Sequence, residues 1–285
     1  MNVWVEAARP RTLTAAVAPV LVGTSVAEEI IVWRALAALV VALALQVGVN
    51  YANDLFDGIR GIDTTERTGP RRAVGSGLVS PDAMKRAVAA SLLVAAGAGA
   101  MLAVAVGYEL FVVGLLCFAA ALAYSGGPRP YGAAGLGEIF VFVFFGLVAT
   151  VGASYVQLER VAVQSILAAV PVGLLATAIL VVNNLRDVRT DEVAGKVTLA
   201  VRLGRGRTRT LFRGLVLGSF PWLPLIAGAV RSAWPLLPFV TLPLTRPLDR
   251  AVARGSAPEL IRALGGTAGL QLAFSTLLAI GLWNS

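Results

Sequence analysis

Apolar runs recur along the whole chain and leave no polar block large enough for a second fold, and this feature decides the class. They fall at about Thr12–Ala27, Ala35–Leu55, Ala87–Gly107, Leu110–Ser125, Ile139–Val156, Val161–Leu185, Gly214–Val230, Ala233–Thr245 and Ala263–Trp283. A helix needs about 20 residues to cross a bilayer's hydrocarbon, so most of these runs can span it. Of 285 residues 57% are hydrophobic and 14% charged, where a soluble domain carries roughly 25% charged. The expectation is an all-α integral membrane protein, one domain over residues 1–285, with about nine transmembrane helices in a single bundle. The eighth run is short and broken by Pro235, Pro238 and Pro243, which predicts a kinked or partly re-entrant segment. The polar start, M-N-V-W-V-E-A-A-R-P-R-T-L, lacks a small-residue cleavage site before a soluble domain, so the first run is expected to be a retained helix.

Basic residues set the orientation. Arg60, Arg67, Arg71, Arg72, Lys85 and Arg86 lie between the second and third runs, a longer series from Arg186 to Arg213 between the sixth and seventh, and Arg246, Arg250, Arg254 and Arg262 between the eighth and ninth. The alternate loops hold only Arg34, Arg160 and Arg231. By the positive-inside rule the N-terminus and the long basic loops face the cytoplasm. Most of these arginines, Arg205, Arg207, Arg209, Arg246, Arg250 and Arg254 among them, read as anchors toward anionic lipid. The net charge of +8 therefore reflects topology, and without interleaved aromatic and basic motifs nucleic-acid binding is not expected.

Two acidic stretches stand out at the ends of apolar runs. In N-Y-A-N-D-L-F-D, Asn50, Asp54 and Asp57 fall at i, i+4 and i+7; in N-N-L-R-D-V-R-T-D, Asn183, Asp187 and Asp191 fall at i, i+4 and i+8. On helices each set projects from one face. The second and sixth runs point the same way, so both clusters reach the cytoplasmic surface and can meet. Each is trailed by cations, including Lys196 after the second. Paired carboxylates supply hard oxygen ligands for Mg²⁺, and the cations suit a diphosphate. The fourth run ends on the same side at Y-S-G-G-P-R-P-Y-G, adding Tyr124 and Arg129, and Arg9 precedes the first. There is no histidine, and the one cysteine, Cys117, lies inside an apolar run. That removes histidine-ligated metals, cysteine clusters, intramolecular disulfides and triads built on histidine.

At these residues the chain resembles the UbiA superfamily of intramembrane aromatic prenyltransferases. The first family motif is matched by Asn53, Asp54, Asp57 and, after a longer gap, Asp63; the second by Asp187 and Asp191. A-A-R-P-R-T-L, N-Y-A-N-D, Y-S-G-G-P-R-P-Y-G-x-x-G-L-G-E and N-N-L-R-D-x-x-x-D-x-x-x-G-K-x-T-L-A-V-R-L-G are similar to the branch that prenylates 1,4-dihydroxy-2-naphthoate in menaquinone synthesis. The likeness runs from Trp4 to about Gly204; beyond that only the hydrophobic layout agrees. It implies a cavity open to the cytoplasmic side and laterally to lipid, in the cell membrane. There a polyprenyl diphosphate and dihydroxynaphthoate would combine, losing diphosphate and carbon dioxide, to give demethylmenaquinone. It implies two Mg²⁺ ions bridging the diphosphate, one on Asp54 and Asp57 with Asp63 as a further candidate, the other on Asp187 and Asp191. Asn50, Asn53 and Asn183 would orient ligands or phosphate, and Arg67, Arg71 and Lys196 would contact diphosphate. Tyr124, Arg129 and Arg9 would line the acceptor or the diphosphate.

Other readings stand beside these. Tyr124 fits an interfacial aromatic equally well. The run from Phe140 to Val148 reads first as lipid-facing or helix-packing aromatics and second as a cavity wall. Glu138 reads as a carboxylate at a helix start, favoured by the dipole, rather than a base. The acceptor could be 4-hydroxybenzoate, protohaem or a chlorophyll precursor. A cation-coupled transporter would place its carboxylates near mid-bilayer instead of at one surface.

Overall fold

The computed structural model describes residues 2–61 and 72–285 and is all-helical there. A short α1 (Val3–Ala7) and a 3₁₀ turn (Pro10–Thr12) lead into α2 (Thr14–Thr24). Between them Arg9 takes a left-handed backbone conformation (φ 54°), which breaks the helix and turns α1 aside. α3 (Val32–Ile59), α4 (Pro81–Val106) and α5 (Glu109–Ala123) follow, then α6 (Gly137–Leu158) and α7 (Val163–Val193). α8 (Leu199–Gly218) is kinked at Gly204 and runs into α9 (Trp222–Val230). A 3₁₀ segment (Trp234–Leu244), α10 (Thr245–Arg254) and α11 (Ala257–Trp283) complete the chain.

Starts are fixed by local chemistry. Ser80 caps α4 by accepting from the Ala83 amide, with Pro81 in the first turn. Thr198 caps α8 in the same way through Val201, and Ser256 and Glu259 form a reciprocal capping box at α11. Among the described residues six helical stretches are long and apolar enough to cross a membrane: Val32–Ile59, Pro81–Val106, Gly137–Leu158, Val163–Val193, Leu199–Val230 and Ala257–Trp283; Thr14–Thr24 and Glu109–Ala123 are shorter and apolar.

α7 is the central strut. It is buried along most of its length and packs on α2, α6, α8, α9 and α11, and the main core gathers Val172, Leu175, Ile179, Val182 and Leu185 from it with Phe212, Phe220 and Phe274. α3 is the opposite: only partly covered over its apolar half, it buries residues only from Gln46 to Asp57. A second, small core of Ala7, Leu55, Ala73, Val79 and Met84 closes over that end.

Several boundaries differ from the sequence expectation. The seventh run was expected from Gly214, yet helix begins at Leu199. Ala200, Thr208, Phe212 and Val216 form a buried stripe there, while Arg202 and Arg213 face out, so an amphipathic helix extends into what hydropathy reads as loop. The same holds for α10, which buries Thr245, Leu248 and Val252 and exposes Arg246, Arg250 and Arg254. The proline-rich eighth run is a 3₁₀ segment, as three prolines in eleven residues require.

Candidate active site

The last turns of α3 and α7 meet at one end of the bundle. Asp57 from α3 and Asp187 and Asp191 from α7 line a single small pocket of about 50 Å³, together with Arg9, Asn53, Arg60, Arg72, Tyr124, Asn183, Asn184 and Lys196. The convergence expected from span direction is therefore present. Asp57, 1% exposed, receives Lys196 Nζ at 2.7 Å and has Arg72 Nη2 at 3.6 Å, both on the same Oδ2. Asp187 is gripped by its neighbour Arg186, with Nε to Oδ1 and Nη2 to Oδ2 both at 2.7 Å, and Arg186 Nη2 also donates to Asn183 Oδ1 at 3.0 Å. Lys196 reaches the pocket because the chain turns back after α7, its backbone amide donating to the Asp191 carbonyl at 2.8 Å.

The amides organise the rim. Asn53 Oδ1 accepts from Arg9 Nη2 at 2.6 Å and its Nδ2 donates to Ser125 Oγ at 2.9 Å, tying α1 and the end of α5 to α3. Asn50 donates to the Ala8 carbonyl at 2.8 Å and so holds the bend at Arg9. Arg60 donates to the carbonyls of Ser125 and Gly127 at 2.9 and 2.7 Å. On the α7 side Asn184 Nδ2 donates to Glu138 Oε1 at 2.9 Å, and Glu138, 5% exposed, makes no bond through Oε2 among the described residues. Tyr124 stands at the corner of this pocket.

Beneath this pocket lies an apolar cavity of about 570 Å³. Four residues line both spaces, Arg9, Asn53, Tyr124 and Asn183, so the charged pocket opens directly into the apolar one. One wall is an aromatic ladder: Tyr124 edge-on to Tyr131 (5.4 Å), Tyr131 stacked on Phe140 (3.9 Å), and Phe140 on Phe144 (6.0 Å). The run from Phe140 to Val148 thus supplies a cavity wall, the reading ranked second from sequence. The reason is a π-helical stretch over Phe142–Val148, which shifts the register and re-aims the side chains. It occurs where Gly146 lies against Gly173 of α7; a Cβ on Gly146 would sit 2.6 Å from the Gly173 Cα.

Not every expected residue joins the pocket. Asp54 is 1% exposed, but its oxygens accept the backbone amides of Ala73 (3.0 Å) and Val74 (2.8 Å), and it does not line the pocket. Arg129 is exposed and lines neither space. Asp63, Arg67 and Arg71 lie outside the described residues. Conversely Arg60, Arg72, Arg186 and Asn184 belong to the site although sequence reasoning gave them no role there. Their place beside the motifs was the available signal, masked because arginines at helix ends are explained by topology alone.

The donor set suits a hard divalent cation: carboxylate and amide oxygens, with no histidine and the one cysteine elsewhere. Among the described residues no three acidic side chains already form a metal-sized cluster; the carboxylates are charge-paired with Lys196, Arg72 and Arg186.

Fold and site together define a polytopic membrane protein with a two-part site, a small charged pocket above a larger apolar cavity. The chain matches the model of the UbiA prenyltransferase family over residues 16–259, and it belongs to that family. A 1,4-dihydroxy-2-naphthoate octaprenyltransferase of Mycobacterium tuberculosis is 45% identical over 97% of this chain and 95% of its own length. One of Escherichia coli is 38% identical over 92% and 88%. Among solved structures, the apo UbiA homologue from Aeropyrum pernix K1 superposes with a TM-score of 0.69 at 16% identity, covering 99% of this chain and 98% of that one. A UbiA homologue from Archaeoglobus fulgidus bound to GPP and Mg²⁺ gives 0.63 at 16%, covering 98% and 100%.

Proposed function

We propose that this chain transfers a polyprenyl group from its diphosphate to 1,4-dihydroxy-2-naphthoate, releasing diphosphate and carbon dioxide and yielding demethylmenaquinone in its reduced form. The observation that carries this reading is the junction at Arg9, Asn53, Tyr124 and Asn183, where a charged pocket meets an apolar cavity. A molecule with an anionic head and a long hydrocarbon tail fits across such a junction, with its C–O bond at the boundary. Relatives named for this reaction, near full length at 38–45% identity, support the choice of acceptor.

Asp57, Asp187 and Asp191, with Asn53 and Asn183, are the residues that would hold Mg²⁺, and two ions bridging the diphosphate is the arrangement we favour. Bound there, the metal would neutralise charge that grows on the departing diphosphate. Lys196, Arg72 and Arg60 stabilise the same charge from the protein side, which lowers the barrier because the charge is larger after the bond breaks than before. The C–O electron pair leaves with the diphosphate, and the ring carbon that bears the carboxylate attacks the allylic carbon. Departure of carbon dioxide returns its bonding pair to the ring and restores aromaticity. The aromatic ladder from Tyr124 to Phe144 faces the allylic cation with π electrons and excludes water that would capture it. No side-chain nucleophile is needed.

We read the chain as a bundle of nine membrane passages, counting the two shorter apolar helices and the 3₁₀ segment, with its charged pocket on the cytoplasmic side and its cavity opening toward lipid. The test is turnover in liposomes supplied with octaprenyl diphosphate, Mg²⁺ and either dihydroxynaphthoate or 4-hydroxybenzoate. Mass spectrometry of the lipid extract should show prenylated, decarboxylated naphthoquinol. Product from 4-hydroxybenzoate alone would overturn the acceptor assignment.

A further inference from the structure

Asp54 sits in the middle of the first acidic motif, yet the structure turns it away from the pocket. Helical geometry places it about 60° around α3 from Asp57, enough to face the segment that follows the described end of α3 rather than α7. Each carboxylate oxygen takes one main-chain N–H from consecutive residues, Oδ2 from Ala73 and Oδ1 from Val74. Both oxygens thereby face the backbone of that segment and not the pocket, whose lining omits Asp54, in a site where Asp54 is 1% and Ala73 2% exposed. The segment is pressed against α3: a Cβ on Gly58, one turn further on, would lie 2.7 Å from Val74 Cγ1. It is also closed on itself, with the Val79 and Ser76 amides donating to the carbonyls of Ala73 and Arg72 at 3.0 Å each. What this fixed segment delivers is Arg72, 8% exposed, with Nη2 3.6 Å from Asp57 Oδ2.

We infer that Asp54 is a positioning residue and not a metal ligand: it clamps the Ala73–Val74 backbone so that the preceding Arg72 is held at the anionic end of the pocket. An ionised carboxylate suits this task, because charge-assisted bonds to two adjacent amides are stronger than neutral ones and fix direction as well as distance. The acidic motif then divides its labour between Asp57, which faces the pocket, and Asp54, which faces the loop. The kinetic part of the inference rests on the prenyl-transfer reading above; the structural part does not.

The test compares Asp54→Asn with Asp57→Asn in purified full-length protein. Asparagine keeps one acceptor and turns an NH₂ toward the second amide, so hydrogen exchange at the Ala73 and Val74 amides should quicken by about tenfold or more, with α7 unchanged. The Mg²⁺ concentration that half-saturates pyrophosphate binding should stay within about twofold of wild type for Asp54→Asn and rise about tenfold or more for Asp57→Asn. In turnover, Asp54→Asn and Arg72→Ala should each raise the KM for prenyl diphosphate about tenfold, and the double variant no further, since both act through one guanidinium. Unchanged exchange at residues 73 and 74, a Mg²⁺ shift matching that of Asp57→Asn, or additive effects in the double variant would each overturn the inference. Should Asp54→Asn not fold, Arg72→Ala leaves the clamp intact, and a wild-type KM for it overturns the inference by itself. Exchange and pyrophosphate binding need no turnover, so failure to prenylate a naphthoate would sink the functional reading and leave those two measurements to decide this one.

Discussion

The two acidic helix ends look alike in sequence and are built differently. At the end of α3, Asp57 is neutralised across space by Lys196, which arrives from beyond α7, and by Arg72. At the end of α7, Asp187 is neutralised by the preceding residue, Arg186, inside a core where both side chains are 4% exposed. α7 is buried along its length while α3 is buried only near its end. The α7 pair is therefore part of the strut that holds the bundle, and the α3 pair is a contact between a lipid-facing helix and the loops that close the pocket. One motif carries fold and function together, and the other carries function on a replaceable contact.

Truncating each aspartate should break the resemblance most sharply. Asp57→Ala and Asp187→Ala are each expected to lower kcat/KM by about a thousandfold, the scale of losing a main electrostatic stabiliser. Their stabilities should part. Asp187→Ala strands a buried guanidinium and should cost about 3–5 kcal/mol. Asp57→Ala should cost less, because Lys196 lies in a turn and can swing to water. Thermal unfolding in detergent, read beside turnover, checks this; equal losses of stability would remove the distinction.

Removing a cation sharpens it next. Lys196→Met keeps the aliphatic stem and deletes the charge, leaving Asp57 with Arg72. Activity should fall about a hundredfold through loss of charge on the departing diphosphate. Most of the loss should appear in kcat if Lys196 acts on the growing charge, and in KM if it only binds. Arg186→Met should instead destabilise the fold by about 3 kcal/mol, because it removes the guanidinium that holds both oxygens of the buried Asp187.

The contact that shapes the cavity wall is a packing feature, and its effect should be smaller. Gly146→Ala pushes a methyl into α7 at Gly173, and overpacking of this kind costs about 1–3 kcal/mol. Since α6 is re-registered at that point, the aromatic ladder should shift too, and the KM for the prenyl diphosphate should rise more than that for the acceptor. Unaltered unfolding temperature and KM would show that the helices separate without consequence.

Much of this was legible before coordinates. Run directions placed Asp57 and Asp187 on one surface, the prolines at 235, 238 and 243 marked the irregular segment, and the missing histidines confined a metal site to oxygen donors. What was not legible depends on tertiary partners. Period alone puts Asn50, Asp54 and Asp57 on one helix face. Asp54 nevertheless goes to the loop because Ala73 and Val74 present two amides there. The Phe140–Val148 run has an ordinary helical pattern, and a π-stretch, which that pattern does not announce, turns it toward the cavity. Arg60, Arg72 and Arg186 were hidden by a rule that explains any arginine at a membrane edge.

The finest distinction between the two ends concerns their asparagines. Asn53 on α3 gives an amide hydrogen to a hydroxyl, Ser125 Oγ, whereas Asn184 on α7 gives one to a buried carboxylate, Glu138 Oε1. Because Glu138 accepts from the Asn184 NH₂, the amide oxygen of Asn184 is left for the pocket that the residue lines. Glu138→Gln retains an acceptor oxygen and should change activity by no more than about threefold, within the range of one neutral hydrogen bond. Glu138→Leu removes the acceptor, frees the amide to flip, and should cost about tenfold, again about the worth of one buried bond. Ser125→Ala should fall between them, since Asn53 is still held through its oxygen by Arg9. A Glu138→Gln enzyme as impaired as Glu138→Leu would mean that the carboxylate's charge, not its acceptor oxygen, is what the α7 end requires.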